Sequence, residues 1–271
     1  MEEVELVFLG TGGARFSTIT QKRHTGGIRI LRPLNLQLDP GPGAIVYSNL
    51  LGLDPSNVEV VAVSHCHPDH YSDAQIFVEA MSQGGTKKRG VFIGPRSVVT
   101  ETENFDSCLT KYHRKLINEL VEMQPGTELQ IRDTKISATR AYHSDPYSIG
   151  FRFLFGAGEI GYTSDTEYRP DIPEQYSRAR LLILCVLRPH GSAWPGHLST
   201  DDAIQVVQRI RPEMCVLTHF GMRMISAGPA NEARRIEAET RVRTVAAEDN
   251  MRLYMGKDLK VEYPLSLMKR N

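Results

Sequence analysis

Hydrophobic positions along the chain fall into short apolar runs broken by glycine and proline. The first run, residues 4–9, is brief and rich in β-branched side chains, which predicts a strand feeding the tight turn Gly10-Thr11-Gly12-Gly13. Residues 27–31 and 35–38 predict two more strands, and Asp39-Pro40-Gly41-Pro42-Gly43 stops the second. Residues 44–51 have helical spacing, whereas 58–63 return to a strand. A polar start and the Gly84-Gly85 stop bound a helix over 72–83, with a short strand over 90–94 behind it. Between 97 and 123 the pattern is mixed, and a helix is expected over 110–120.

Beyond this point the pattern sharpens. Residues 128–131 and 135–141 predict strands, and 150–155 with 159–163 predict a hairpin across Gly156-Ala157-Gly158. Residues 181–187 are almost continuously apolar, as expected of a strand covered on both faces. Ser199, with Asp202 three residues on, makes a capping-box-like start for a helix over 200–210. A strand over 214–217, a helix over 231–240 and short strands near Thr244 and Arg252 complete the pattern. No linker or internal repeat divides it, so one domain over 1–271 is expected.

Composition narrows the class. Of 271 residues, 41% are hydrophobic and 24% charged, which suits a globular chain, and no run reaches the roughly 18 apolar residues of a membrane-spanning helix. The acidic start MEEVELVF has the wrong sign for a secretory leader, so a cytoplasmic location and no membrane partner are expected. Cys66, Cys108, Cys185 and Cys215 lack C-x-x-C spacing, which argues against a disulfide framework or a thiolate zinc site. Formal charge is zero, so no global field draws the chain to nucleic acid. Lys87-Lys88-Arg89 and Arg234-Arg235 read as solvated faces, with local nucleic-acid contacts as the alternative.

The chemistry concentrates in His65-Cys66-His67-Pro68-Asp69-His70, directly behind the strand at 58–63. Three of the chain's nine histidines stand within six positions, beside a carboxylate. Imidazole and carboxylate suit zinc, manganese or iron. Alternation along an extended segment puts His65 and His67 on one side, and the turn at Pro68 lets Asp69 and His70 reach a different point. Asp39, His143, Asp165 and His219 likewise stand just beyond predicted strands. A lone histidine there is more often a satisfied polar end; seven potential ligands converging on one sheet edge reverse that reading.

This order resembles the metallo-β-lactamase superfamily from Leu6 to about Leu253. SHCHPDH matches its H-x-H-x-D-H signature, and Asp39, His143, Asp165 and His219 fall at its remaining motif positions in order. The resemblance implies an αββα sandwich, an α/β layered fold with a dinuclear metal site. His65, His67 and His143 would hold one ion, Asp69, His70 and His219 the other, and Asp165 would bridge both. Asp39 would orient a ligand histidine, or else simply form the turn before Pro-Gly. The ions are expected to be divalent, zinc first, with manganese or iron as alternatives. His67 stands where the oxygen-reducing diiron branch carries an acidic ligand, which argues against a redox role.

His197, in GHLSTDDA 22 residues before His219, resembles the extra histidine of the phosphodiesterase branch, which includes tRNase Z and the cyclic phosphodiesterase of the carbon-phosphorus lyase pathway. LVFLGTGGAR and VLTHFG resemble that branch too. The resemblance implies a phosphodiesterase that attacks with a metal-bridging hydroxide while His197 assists the leaving group. His197 and Asp69 are the candidate catalytic residues. Packing before a helix is the blander role for His197.

Against tRNase Z itself stands the 22-residue interval from His143 to Asp165, which the predicted hairpin fills, leaving no room for an inserted tRNA-gripping arm. A small phosphodiester is the expected substrate. A tRNase Z-like RNA endonuclease and a lactonase or thioesterase of the same superfamily are the alternatives, and a non-catalytic metal-holding or RNA-binding module is the reading from a different class. A homodimer is a candidate assembly. His24 and His190 are further candidates to face substrate, whereas His113 reads as a surface residue.

Overall fold

A computed structural model describes residues 3–264. Its strands are β1 (Val4–Phe8), β2 (Ile28–Arg32), β3 (Leu36–Leu38), β4 (Val60–Ala62), β5 (Val91–Gly94), β6 (Glu119–Glu122), β7 (Glu128–Ile131) and β8 (Thr134–Arg140). They continue as β9 (Ile149–Phe155), β10 (Gly158–Tyr162), β11 (Ala179–Arg188), β12 (Leu198–Ser199), β13 (Met214–Thr218), β14 (Thr244–Ala246), β15 (Arg252–Met255) and β16 (Leu259–Glu262). One sheet has the order β16-β15-β1-β2-β3-β4-β5-β6; the other runs β14-β13-β11-β10-β9-β8-β7, with β12 beside β11.

Three apolar layers make this a four-layer αββα sandwich. Phe8, Ile30, Leu36, Phe151, Phe153 and Ile183 belong to the core between the sheets. Outside the first sheet, Val61, Val63 and Phe92 pack with Phe77 and Val78 of the helix Ala74–Met81. Outside the second, Leu182, Leu184 and Val186 meet Val206, Val207 and Ile236 of the helices Thr200–Ile210 and Pro229–Thr240. β11 serves two layers at once, because alternate side chains leave a strand on opposite faces. Leu181, Ile183 and Cys185 enter the inner core while Leu182, Leu184 and Val186 enter the outer one.

The predicted hairpin is β9 and β10, paired from Gly158↔Phe155 to Tyr162↔Phe151. The capping box is present: the Ser199 side chain accepts from the Asp202 backbone, and the Asp202 side chain accepts from the Ser199 backbone. Several expectations are corrected. The helix expected over 110–120 is only His113–Leu116, and the chain then extends as β6, parallel to β5. A free sheet edge at β5 offers a ladder of backbone partners, and this outweighs the local helical pattern. The helix expected from residue 72 starts at Ala74, because Asp73 accepts the Ile45 N–H at 3.0 Å and so ties off the neighbouring helix Ala44–Leu50. Helices Ala14–Thr20 and Met222–Ala227 and strand β16 add elements that the pattern did not predict.

The topology positions the site. β8 and β10 are each antiparallel to β9, and β10, β11 and β13 are mutually parallel. The C-terminal ends of β8, β10, β11 and β13 therefore share one edge, and the chain leaving β4 meets them there. No helix of the described residues is long and apolar enough to cross a membrane.

Candidate metal centre

Asp39, His65, His143, Asp165 and His219 follow β3, β4, β8, β10 and β13 respectively. The backbone turns sharply at the strand ends: Asp39, Ser164 and His219 have φ of 47°, 56° and 62°. Residues other than glycine adopt this left-handed region at a cost of about 1–3 kcal/mol each, which the surrounding fold must offset. Gly13 permits the closest approach, since a Cβ there would collide with the His219 ring. The glycine turn after β1 thus serves close packing against the site.

The structure brings the predicted ligands together in two groups. His67 Nδ1 lies 3.0 Å from both His65 Nε2 and His143 Nε2. His219 Nε2 lies 3.1 Å from His70 Nε2 and 3.2 Å from Asp69 Oδ2. Asp165 Oδ2 stands between the groups, 3.8 Å from His143 Nε2 and 3.8 Å from His70 Nε2.

The hydrogen bonds behind the rings decide what these atoms are. His143 Nδ1 faces the Gly196 carbonyl at 2.8 Å, and a carbonyl only accepts, so the proton is on Nδ1 and Nε2 presents a lone pair. His70 Nδ1 donates to Asp39 Oδ2 at 2.8 Å. Ser64 Oγ donates to Asp39 Oδ2 at 2.7 Å, which leaves its lone pairs for His65 Nδ1 at 3.1 Å. Ring nitrogens and carboxylate oxygens turned toward one another form a cation site by the chemistry of the set, once the proton that His70 carries is displaced. Atoms bound at about 2.0–2.1 Å to one tetrahedral ion stand about 3.3 Å apart, close to the spacings seen.

The carboxylates and imidazoles of the cluster shift one another's protonation. Burial alone would raise Asp165, but the histidines around it, His219 first, bring it down to about 2. Burial likewise opposes ionisation of Asp69, yet His70, His219 and the Ala14 N–H hold it well below the usual carboxylate range. His70 goes the other way: despite complete burial, Asp39, Asp69 and Asp165 raise it to about 10. Burial, followed by the neighbouring imidazoles, pushes His65 and His67 down.

His197 joins this cluster, with Nδ1 3.3 Å from Asp165 Oδ2. Burial lowers it to about 4, so the ring is neutral at pH 7. His24 and His190 stay outside. His24 stacks on Tyr47 with centroids 3.6 Å apart, and His190 Nδ1 pairs with Asp201 at 2.5 Å. His113 is half-buried, with its ring nitrogens facing the Thr110 hydroxyl and the Glu79 carboxylate. Lys87, Lys88, Arg234 and Arg235 are exposed.

Two supporting residues escaped sequence reasoning. Buried Asp145 accepts from the Cys66 N–H at 3.0 Å and from Ser97 Oγ at 2.6 Å, tying the His65–His67 segment to the loop after His143. Asp249 accepts from the Thr11 N–H and hydroxyl and from the His24 N–H, fixing the glycine turn. The Asp-Pro pair at 145–146 marks a turn but not its partners.

Residues 35–220 match the family model described as a beta-lactamase superfamily domain. The chain is 41% identical to an uncharacterized protein of Methanocaldococcus jannaschii, over 98% of this chain and 99% of that one. It is 26% identical to a Ribonuclease Z of Pyrobaculum arsenaticum, over 89% of this chain and 93% of the relative. Among solved structures, a diphosphatase from the PhnP family superimposes with a TM-score of 0.69 at 15% identity, over 93% of this chain and 97% of that one.

Proposed function

The chain belongs to the metallo-β-lactamase superfamily and is a hydrolase of that fold, and we propose that it is a dinuclear metal-dependent phosphodiesterase. The fold implies divalent metal binding. The observation that carries the finer reading is the pair of ligand groups sharing Asp165, with His197 against the same carboxylate. His65, His67 and His143 would hold one ion and Asp69, His70 and His219 the other, with Asp165 placed between the two groups. Zinc is the first expectation for this donor set, with manganese or iron admitted by the same ligands. When bound, two such ions supply a water of lowered pKa and polarise a phosphoryl oxygen.

The chain's own residues do the rest. Asp39 fixes the His70 ring through Nδ1, and Gly196 fixes His143 in the same way, so the inward nitrogens are set before any ion arrives. The Ala14 N–H holds Asp69 Oδ2 at 2.8 Å. His197 Nδ1 lies 3.3 Å from Asp165 Oδ2 but makes no hydrogen bond, so the neutral ring's one proton is free to stand on Nε2, which faces the leaving oxygen. In that tautomer Nε2–H donates a hydrogen bond that strengthens as negative charge grows on that oxygen.

The Ribonuclease Z relative favours RNA cleavage as the second reading; the PhnP-family diphosphatase supports a smaller substrate. Only β9, β10 and short connections fill the interval between His143 and Asp165, which supports the smaller one. The test presents the metal-loaded protein with bis(p-nitrophenyl) phosphate, a lactone and a thioester. Turnover of the phosphodiester above the other two is expected; turnover confined to the lactone or thioester would contradict the proposal.

A further inference from the structure

Beside His197, the loop leaving β11 carries an exposed indole, and two cations without counterions flank it, Arg188 at the end of β11 and Arg223 in the helix Met222–Ala227. Arg188 ends β11, its guanidinium carbon 4.7 Å from the centre of the Trp194 ring. Its Nε is buried with no hydrogen-bond partner among the described residues. Burial first, and then the neighbouring cation Arg223, lower its affinity for a proton. Arg223 is exposed and reaches the same loop, donating to Ser192 Oγ at 3.3 Å. Neither guanidinium makes an ion pair with a carboxylate among the described residues. Two like charges held together in this way cost free energy unless an anion joins them, and guanidinium forks suit phosphate oxygens.

The loop is fastened to the metal centre. Trp194 and His197 form an antiparallel bridge in which the Trp194 carbonyl accepts the His197 N–H at 3.2 Å. Arg188 is in register with Ser199, two residues past His197. Arg223 follows His219 by four residues. Trp194 is 53% exposed, so beyond the arginine it keeps indole surface open to solvent. Aromatic faces of this kind stack nucleobases whatever their sequence.

We propose that Arg188, Trp194 and Arg223 form a subsite for the nucleotide unit next to the scissile phosphate, the two arginines taking its further phosphate and Trp194 its base. This rests on the phosphodiesterase reading and narrows its substrate class to nucleotide esters. It also explains why the loop is pinned to His197: the group seated there is the one whose oxygen leaves.

Trp194 is the chain's one tryptophan, so its fluorescence reports the subsite directly. The experiment titrates metal-loaded protein with adenosine 3′,5′-bisphosphate, adenosine and inorganic phosphate. Saturable quenching by the bisphosphate is expected, weaker for adenosine and absent for phosphate, with affinity falling as salt rises. Arg223→Gln and Arg188→Gln should each weaken the bisphosphate about tenfold, as loss of a charge-assisted contact does. Arg223 is exposed, so its variant tests the subsite even if Arg188→Gln fails to fold. No saturable quenching, or affinity unchanged in Arg223→Gln, would overturn the proposal. Binding needs no turnover, so quenching by a protein that leaves every phosphodiester intact would contradict the phosphodiesterase reading and not the subsite.

Discussion

Asp39 Oδ2 and His70 Nδ1 meet at 2.8 Å, with both side chains buried. The same oxygen also takes the Tyr162 hydroxyl at 2.7 Å and the Ser64 hydroxyl at 2.7 Å, and Oδ1 takes the Ser64 N–H at 2.7 Å. One carboxylate thus orients His70 directly and His65 through Ser64. Replacing Asp39 by Asn keeps the size but removes the charge and turns one acceptor into a donor. Metal affinity should fall by about 10–100-fold, the range for losing such a support. Elemental analysis after dialysis against a weak chelator checks this.

The His70 proton links metal uptake to pH. With its folded value raised to about 10 from an ordinary 6.5, His70 in metal-free protein is protonated at pH 7.5. Stability from this pairing is fully present below pH 6.5 and is lost as pH rises through about 10. Denaturant titrations of metal-free protein should therefore show stability falling over that window. Metal must displace the proton, so loading at pH 7.5 should acidify a weakly buffered solution, and affinity should climb with pH.

Gly13→Ala tests the packing of the glycine turn against His219. Gly13 has φ of −153°, which any residue adopts, so the effect of the new methyl is steric. It would push the His219 ring out of line with His70 and Asp69. Circular dichroism should stay native while metal content drops by about half, as loss of one ion from a pair requires.

His197→Ala separates two roles. Loss of a group that assists the leaving oxygen should lower turnover by about 10²–10⁴-fold at unchanged metal content. His197, His143 and Asp165 do lie close enough to share an ion, so an equal fall in metal and activity would make His197 a ligand. Metal analysis and single-turnover rates on the same preparation distinguish the outcomes.

The parts legible in the sequence were those fixed by local chemistry. β11 declared itself by continuous apolar residues, the helix Thr200–Ile210 by Ser199 and Asp202, and the cluster that could hold metal by histidines and aspartates just past strands. What escaped depends on distant partners. β6 is a half-exposed edge strand that exists because β5 offers it a ladder. The helix Ala14–Thr20 has no side-chain cap and leaves Phe16 and Ile19 exposed, so no apolar stripe announces it. Asp145 matters through Cys66 and Ser97, 79 and 48 residues away, a relation no local pattern carries.

The most direct test of the two-ion account is a metal titration of the chelator-stripped protein, followed by hydrolysis of bis(p-nitrophenyl) phosphate. Activity should rise until about two zinc or manganese ions are bound per chain and then level off. Activity that saturates at one ion, or no phosphodiester cleavage with two ions bound, would contradict it.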